Sequence, residues 1–449
     1  MMDDVEIHAD YTFAWRWLLP AAPNVVCTGD EAVDRLLLAS VRGQGDEAGV
    51  VALIDADACL RAGTVGELNV VMSSYSIAIY GSPKAVERLS RAIGLSRTFG
   101  MKNAHVSDYG LLPPSAPRVV VPLSNRASAL QGLSLHNPGS RHGQWAVWVL
   151  RRLTAWGFLA PLKGKMLRIA SSAPVQPWVL RNSSFNVLPG DDYALYLGAK
   201  GSNRKTVALP VNPQQAPERV IKTAEQSIPR IKLANEAIML KRLAETPLAI
   251  HVPALYSFHE NDSATIIVQE YRSVEPIKAL QKQQAAIEFL NLMHSTGTTW
   301  VSLGDMIADE APERTVHIKE RRDTLRFLKR HVTGLPVPIG LVHGDFAPWN
   351  CGLAAGRLLV YDWEEGDLKG LLLDDAFSYA VLPLILVHHI KDTHLLAQRA
   401  IDLAKSLRVA RTLDPRVIRA CLVYWSLRRP AYFFPEIFTQ IAVEVSDGL

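Results

Sequence analysis

Apolar and polar positions alternate in two distinct styles along this chain, and the change between them divides it. Over the first 170 residues, NVVCTG, GVVALID, LNVVMSSYSIAIYG and RVVVPL are short β-branched runs, while AVDRLLLASV and KAVERLSRAIG carry apolar residues at helical spacing. Buried strands interleaved with amphipathic helices predict an α/β layer arrangement. GQWAVWVLRRLTAWGF (143–158) extends the pattern as an amphipathic helix. PLSNRASALQGLSLHNPGSRHG (122–143) is polar and rich in turn residues, and reads as a loop for binding or for contact between domains. SSAPVQPWVLRNSSFNVLPGDD (171–192) has few periodic signals and reads as a connection.

From about residue 185 the style changes. YALYLGAKGSNRKTVALPV (193–211) predicts strand, turn, strand; ERVIKTA (218–224) and ATIIVQEY (264–271) are further strands. IKLANEAIMLKRLAE (231–245) is a helix with apolar residues at 233, 237, 240 and 243. Helical patterns then dominate to the end. Strands with one helix, a hinge and a helix-rich half suggest a nucleotide held between two lobes. The domains expected are 1–170, 171–272 and 273–449.

Composition changes this picture little. The chain has 449 residues, 48% hydrophobic and 20% charged, with a net charge of +4, which is ordinary for globular domains. So small a net charge gives no reason to expect a nucleic-acid partner. Cys27, Cys59, Cys351 and Cys421 are scattered without CxxC spacing, against a zinc site or disulfide framework. The N-terminal stretch is acidic where a signal peptide would be basic. AFSYAVLPLILV (376–387) is too short to span a bilayer and reads as a buried helix. A cytoplasmic protein without membrane insertion is expected. The basic stretch KERRDTLRFLKRH (319–331) predicts a helix with Leu325 and Leu328 on the core and a solvated charged face.

The chemistry is concentrated in LVHGDFAPWNCG (341–352) and LLVYDWEEG (358–366). Phosphoryl transfer needs phosphate positioning, divalent-metal ligands and a group that orients or accepts the proton of the attacking hydroxyl. Asp345, after a strand-like segment, suits the last role. Asn350, five residues on, offers an amide oxygen, and Asp362, closing the next strand, a carboxylate. Hard oxygen donors of this kind suit Mg²⁺.

His343-Gly344-Asp345, Asn350 and Asp362-Trp363-Glu364 together resemble the catalytic and metal-binding signatures of the aminoglycoside phosphotransferase and choline kinase family. The resemblance covers about residues 185–435 and implies a two-lobed protein-kinase-like fold using ATP and Mg²⁺. HGD and DWE stand where protein kinases have HRD and DFG, which points to small-molecule acceptors. By the same resemblance, Gly201, Ser202 and Asn203 form the turn over the ATP phosphates. The spacing there is not a kinase GxGxxG, and a plain hairpin turn fits it as well. Lys222 corresponds to the strand lysine on the α/β-phosphates and Glu236, fourteen residues later, to its glutamate. Gln269, Glu270 and Tyr271 fall in the connection that holds adenine. Asp374 and Asp375 open a helix, where family members often carry an aspartate that braces the catalytic loop; an N-cap role is compatible with this. His343 reads as a buried support for the loop. Trp349 fits both a place in the acceptor pocket and simple packing.

The order of elements in residues 1–170 resembles a Rossmann-like nucleotide or methyltransferase domain, but no GxGxxG follows an early strand, so cofactor binding lacks its main physical means. The fold class expected is therefore α/β plus α+β: a Rossmann-like domain, then a kinase-like phosphotransferase. The function expected is an ATP- and Mg²⁺-dependent kinase for a hydroxyl of a small molecule such as a sugar, an aminocyclitol or an amino alcohol. Two rivals are a non-catalytic nucleotide-sensing regulator and a protein with a degenerate methyltransferase-like N-terminal half.

Overall fold

The structure is a computed structural model that describes residues 18, 25–27, 51–62, 76–92, 105–135, 141–171, 192–198, 204–262, 264–274, 279–309, 319–332, 334–429 and 433–449. The chain divides into two compact units, Met1–Leu233 with Tyr256–Tyr271, and Ala234–Leu255 with Arg272–Leu449.

In the first unit the apolar runs form β1 (Val25–Cys27), β2 (Val51–Asp55), β3 (Ser76–Gly81), β4 (His105–Leu112), β5 (Val119–Pro122), β6 (Met166–Ser171), β7 (Asp192–Leu197), β8 (Thr206–Val211), β9 (Arg219–Ala224), β10 (Leu255–Glu260) and β11 (Thr265–Glu270). Among the described residues these make one eleven-stranded sheet, ordered β1-β2-β3-β6-β4-β5-β7-β8-β9-β11-β10. β1, β2 and β3 run parallel to one another. From β3 onward, through β6, β4, β5 and β7, neighbours are antiparallel. The α/β expectation holds as a mixed sheet with helices, while the Rossmann-like order stops at β3. The reversal comes from β6, MLRIAS, which enters between β3 and β4 and whose mixed pattern does not announce it as a strand.

Alternation places the side chains. Ile77 and Ile79 pack into a cluster with Val86, Leu89, Val121 and Leu133, whereas Ala78 and Tyr80 join Leu167, Ile169, Tyr193, Ile221 and Ile266 on the other face. That follows from the two-residue period of a strand. Pairing of Val119 with Tyr196 and Val120 with Leu195 makes the sheet continuous from the N-terminal strands into residues 192–270.

The stretch 122–143 is not all loop. Asn125 accepts a hydrogen bond from Ser128 N and opens a helix, Arg126–Ser134, whose Ala129, Gly132 and Leu133 are buried. The small residues that look like turn formers are there to let this helix approach the sheet; a Cβ on Gly132 would crowd Ala194, Pro122 and Val121. Gln131 from the same helix grips the main chain of Asn212 and Gln215.

The second unit is mainly helical, with Ala279–Ser295, Lys319–His331, Asp374–Leu386, Thr393–Ser406, Pro415–Leu427 and Pro435–Ser446 as its main helices. Phe289, Met293, Phe346, Trp363, Phe377, Trp425 and Phe438 lie in its core. The apolar stretch at 376–387 is a buried helix, as predicted. Among the described residues no helix is long and apolar enough to cross a membrane. The helix Lys319–His331 departs from expectation at one position. Leu328 is buried and Leu325 packs beside it, but Arg321 is also fully buried. Its guanidinium donates to Thr439 Oγ1 at 3.0 Å and to the Arg429 carbonyl at 2.8 Å, which is why a charge survives there.

Candidate active site

The strand Pro336–Val342 ends at His343, and the chain then turns through Gly344, Asp345 and a short 3₁₀ turn, Pro348–Asn350. Gly344 has φ +82°, and a Cβ there would overlap the Glu365 carbonyl oxygen. Glycine is required on both counts. His343 is fully buried. Its Nδ1 accepts from Asp345 N at 3.3 Å, so the proton is on Nε2, which donates to the Tyr361 carbonyl at 3.0 Å. The ring lies 4.7 Å from the Trp363 ring. His343 thus ties the two motif loops together, in agreement with a supporting role.

Asp375 holds the loop from below. Its carboxylate accepts from His343 N at 2.7 Å and from Gly344 N at 3.0 Å. Burial pushes this carboxyl up to about 7, against the pull of those two amides, and the neighbouring Asp374 adds to the rise. Asp374 is paired with the Arg428 guanidinium. Of the two aspartates, Asp375 braces the loop and Asp374 anchors a cation.

Asp345 and Asn350 meet directly. Asn350 Nδ2 donates to Asp345 Oδ2 at 3.0 Å and to the Asp345 carbonyl at 2.8 Å. With its amino group so committed, Asn350 presents its amide oxygen elsewhere. Burial raises the Asp345 carboxyl to about 6; Asn350 and Arg429 oppose the rise, while Asp362 and Glu365 add to it. Asp362 is therefore within electrostatic reach of Asp345, and Tyr361 N donates to the Asn350 carbonyl at 3.0 Å. Asp362 sits in the left-handed region, φ 69° and ψ 53°, at the start of the turn Trp363–Glu365. Aspartate tolerates that conformation better than most residues, and such positions concentrate at functional sites. Three oxygen-bearing side chains picked from sequence spacing thus gather in one place. Among the described residues no cluster of three or more His, Cys, Asp and Glu could hold a metal.

The remaining candidates are distributed. Gly201, Ser202 and Asn203 lie outside the described residues. Lys222, on β9, is buried and sits across from Ile267 of β11. Glu236, in the helix Ser227–Leu243, is fully buried. Lys222 belongs to the first unit and Glu236 to the second. Gln269 is buried on β11, and Tyr271 follows that strand, its hydroxyl 2.9 Å from Ser134 Oγ. Trp349 is exposed, and its carbonyl accepts from the Tyr361 hydroxyl.

Several contributors escaped the sequence reading. Asn235, next to Glu236, donates to the carbonyls of Glu364 and Gly366, both at 3.0 Å, and so fixes the DWE turn. Lys282 donates to the Pro348 carbonyl. Arg429 stacks over Trp425 with 4.6 Å to the ring centroid, and its charge acts on Asp345, Asp374 and Asp375. The only sequence signal for this last residue is the double arginine after an apolar helix, in SLRRP.

Residues 199–383 match the family model described as APH, phosphotransferase enzyme family. The resemblance carried by HGD, Asn350 and DWE is borne out over these residues, which fall within the model of a phosphotransferase enzyme family. Among solved structures, the aminoglycoside phosphotransferase APH(4)-Ia is 16% identical, covering 56% of this chain and 93% of its own, with a TM-score of 0.40. The gentamicin complex of APH(2")-IIa is 17% identical over 56% and 89%, with a TM-score of 0.34. A putative fructosamine-3-kinase from Haemophilus somnus 129PT is 12% identical over 57% and 92%, also with a TM-score of 0.34. Among curated proteins no match to the sequence is found.

Proposed function

We propose that the chain is an ATP- and Mg²⁺-dependent kinase that phosphorylates a hydroxyl of a small molecule such as a sugar, an aminocyclitol or an amino alcohol. The observation that supports this reading is the Asn350–Asp345 contact, which engages Asn350 Nδ2 and Asp345 Oδ2; in this reading the other carboxylate oxygen serves the acceptor and the amide oxygen a cation. With Oδ2 occupied by Asn350, Oδ1 of Asp345 is the atom that receives the acceptor's proton. A general base must be ionised at working pH, and the raised carboxyl places its pKa close to that range. Asn350 and Asp362 are the residues that would hold Mg²⁺, in keeping with its preference for oxygen donors and retained water. Bound there, the cation would neutralise charge on the transferring phosphoryl group.

In the same reading Lys222 holds the α/β-phosphates, Glu236 is its carboxylate, and Gly201, Ser202 and Asn203 cover the phosphates. Gln269 and Tyr271 belong to the adenine-holding connection. Gln269 Oε1 is buried with no hydrogen-bond donor among the described residues, a place that an exocyclic amine would satisfy. In this reading residues 171–272 and 273–449 are the two lobes, and 1–170 is an α/β addition whose strands extend the sheet of residues 192–270. That part is proposed to bind no nucleotide or methyl-donor cofactor. The Asp57 carboxylate already accepts from Ser82 N at 2.6 Å and Ser82 Oγ at 2.7 Å at the start of the helix Pro83–Ala92. An anion approaching that helix start meets a negative charge. The setting proposed is cytoplasmic; Cys351 and Cys421 are buried free thiols.

Calorimetric titration of ATP with and without Mg²⁺, followed by ADP-release assays against a library of hydroxylated metabolites, tests this. Tight Mg²⁺-dependent ATP binding and acceptor-stimulated ADP release are expected. Absence of ATP binding by the folded chain would remove the reading.

A further inference from the structure

The helix Arg141–Ala155 turns an unusual face outward. Trp145 is 67% exposed, Trp148 55%, Trp156 69% and Phe158 59%. Trp145, Trp148, Arg152 and Trp156 are spaced i, i+3, i+7 and i+11, so they form one stripe along a single face. Trp156 N donates to the Arg152 carbonyl, which carries the helical path one residue past Ala155. The Arg152 guanidinium lies 5.4 Å from the Trp148 ring centroid, within the stripe. The opposite face is the packed one. Thr154 is fully buried, Leu150 packs on the sheet core, and Arg151 donates to the Leu133 carbonyl. The outward face is thus not a misassigned core face. Three exposed tryptophans along one helix face, with the exposed Phe158 just past its end, mark an interaction surface.

Charge selects among occupants. Residues 109–190 contain nine Lys or Arg and no Asp or Glu. At the chain's overall frequency of 44 acids in 449 residues, about eight would fall there. The surface therefore suits an anionic partner. A second copy of the chain would set this basic, acid-free stretch against itself across an isologous interface, with like charges opposed. A nucleic acid draws its affinity mainly from many cation–phosphate contacts. Here Arg168 is engaged with Asp108 and Glu87, Arg118 with Tyr196, and Arg151 with Leu133, leaving bulky indoles rather than cations as the dominant exposed groups. Indoles with interspersed arginine and lysine suit the boundary between headgroups and acyl chains.

We propose that the Trp145–Phe158 face seats this protein on the surface of an anionic phospholipid bilayer, with Trp145, Trp148, Trp156 and Phe158 entering the interface and Arg152 and Lys163 meeting the headgroups. The attachment is peripheral and involves no spanning segment.

Flotation of the full chain with phosphatidylcholine vesicles, with and without about 30% phosphatidylglycerol, tests the proposal. Binding to the anionic vesicles is expected, weakened roughly tenfold or more in W145A/W148A/W156A and to a smaller extent in R152E, with unchanged melting temperatures. Acyl-brominated lipid should quench tryptophan fluorescence in the wild type and much less in the triple variant. The proposal fails if vesicles are not bound, or if the triple variant binds them as well as the wild type. It fails equally if the patch instead mediates self-association or RNA binding that the triple variant loses without any vesicle binding.

Discussion

Asn350 donates the two hydrogens of its amide to one residue, Asp345, reaching both its carboxylate and its main-chain carbonyl. The side chain is thereby fixed in orientation as well as place, and it sets which oxygen of Asp345 is open. Asn350→Ala should lower kcat by roughly a hundredfold, since misplacement of a reacting group by an ångström has that order of effect. Asn350→Asp should do no better, because it loses the donor and sets a like charge against Asp345. Steady-state kinetics at saturating Mg²⁺ check this. Wild-type turnover by Asn350→Ala would exclude the pair from the mechanism.

Asp345→Asn is expected to abolish phosphoryl transfer with ATP affinity retained. Removal of a carboxylate raised by burial leaves the thermal transition unchanged or higher. Calorimetry beside an activity assay separates the two effects, and residual turnover above roughly one part in a hundred would assign the proton to another group.

Gly344 meets two separate constraints, a positive φ and contact with the Glu365 carbonyl. Gly344→Ala should therefore destabilise the chain by about 1–3 kcal/mol and displace the DWE turn, whose carbonyls Asn235 holds. Urea unfolding measures the first. A wild-type midpoint for Gly344→Ala would show that the loop relaxes freely.

These residues illustrate what the sequence made legible. Asp345, Asn350 and Asp362 stand at strand ends and in tight turns, where position in the chain fixes position in space, so spacing alone brought them together. Arg321 and Arg429 did not yield to such reading. Arg321 lies in a helix rich in basic residues, and its burial depends on Thr439 and the Arg429 carbonyl more than a hundred residues away. The strands β4, β6 and β10 were missed because HVSDYGLL, MLRIAS and LYSFHE carry mixed patterns. Their strand state is set by neighbours in the sheet rather than by local preference.

Arg321 also offers a test of stability. It is fully buried with no carboxylate partner, burial lowers its pKa, and its Nη2 has no hydrogen-bond partner among the described residues. Arg321→Met, similar in length and uncharged, should cost less than Arg321→Ala by about 1–2 kcal/mol, because it removes the desolvated charge without opening a cavity. Equal losses in the two variants, read from denaturant midpoints, would mean that the hydrogen bonds to Thr439 and Arg429 dominate.

Asp375 gives a pH dependence whose sign follows from its environment. Its carboxyl is raised in the folded chain, to about 7 from the ordinary 3.8. At this site the folded state then holds more protons than the unfolded state between those values, so the contribution of Asp375 to stability is greatest below about 4 and declines as pH rises toward 7, levelling above it. The decline has a structural counterpart, since only the ionised carboxylate accepts from both His343 N and Gly344 N without competition from its own proton. Ionisation thus orders the His343–Gly344 loop while it costs global stability. Asp375→Asn should flatten the stability profile over this interval and, by presenting one acceptor in place of two, lower turnover at neutral pH. Urea midpoints from pH 4.5 to 8, in wild type and variant, check the slope. A wild-type profile that rises with pH over the same interval, and loses that rise in Asp375→Asn, would mean that the two amides outweigh burial and hold Asp375 ionised throughout.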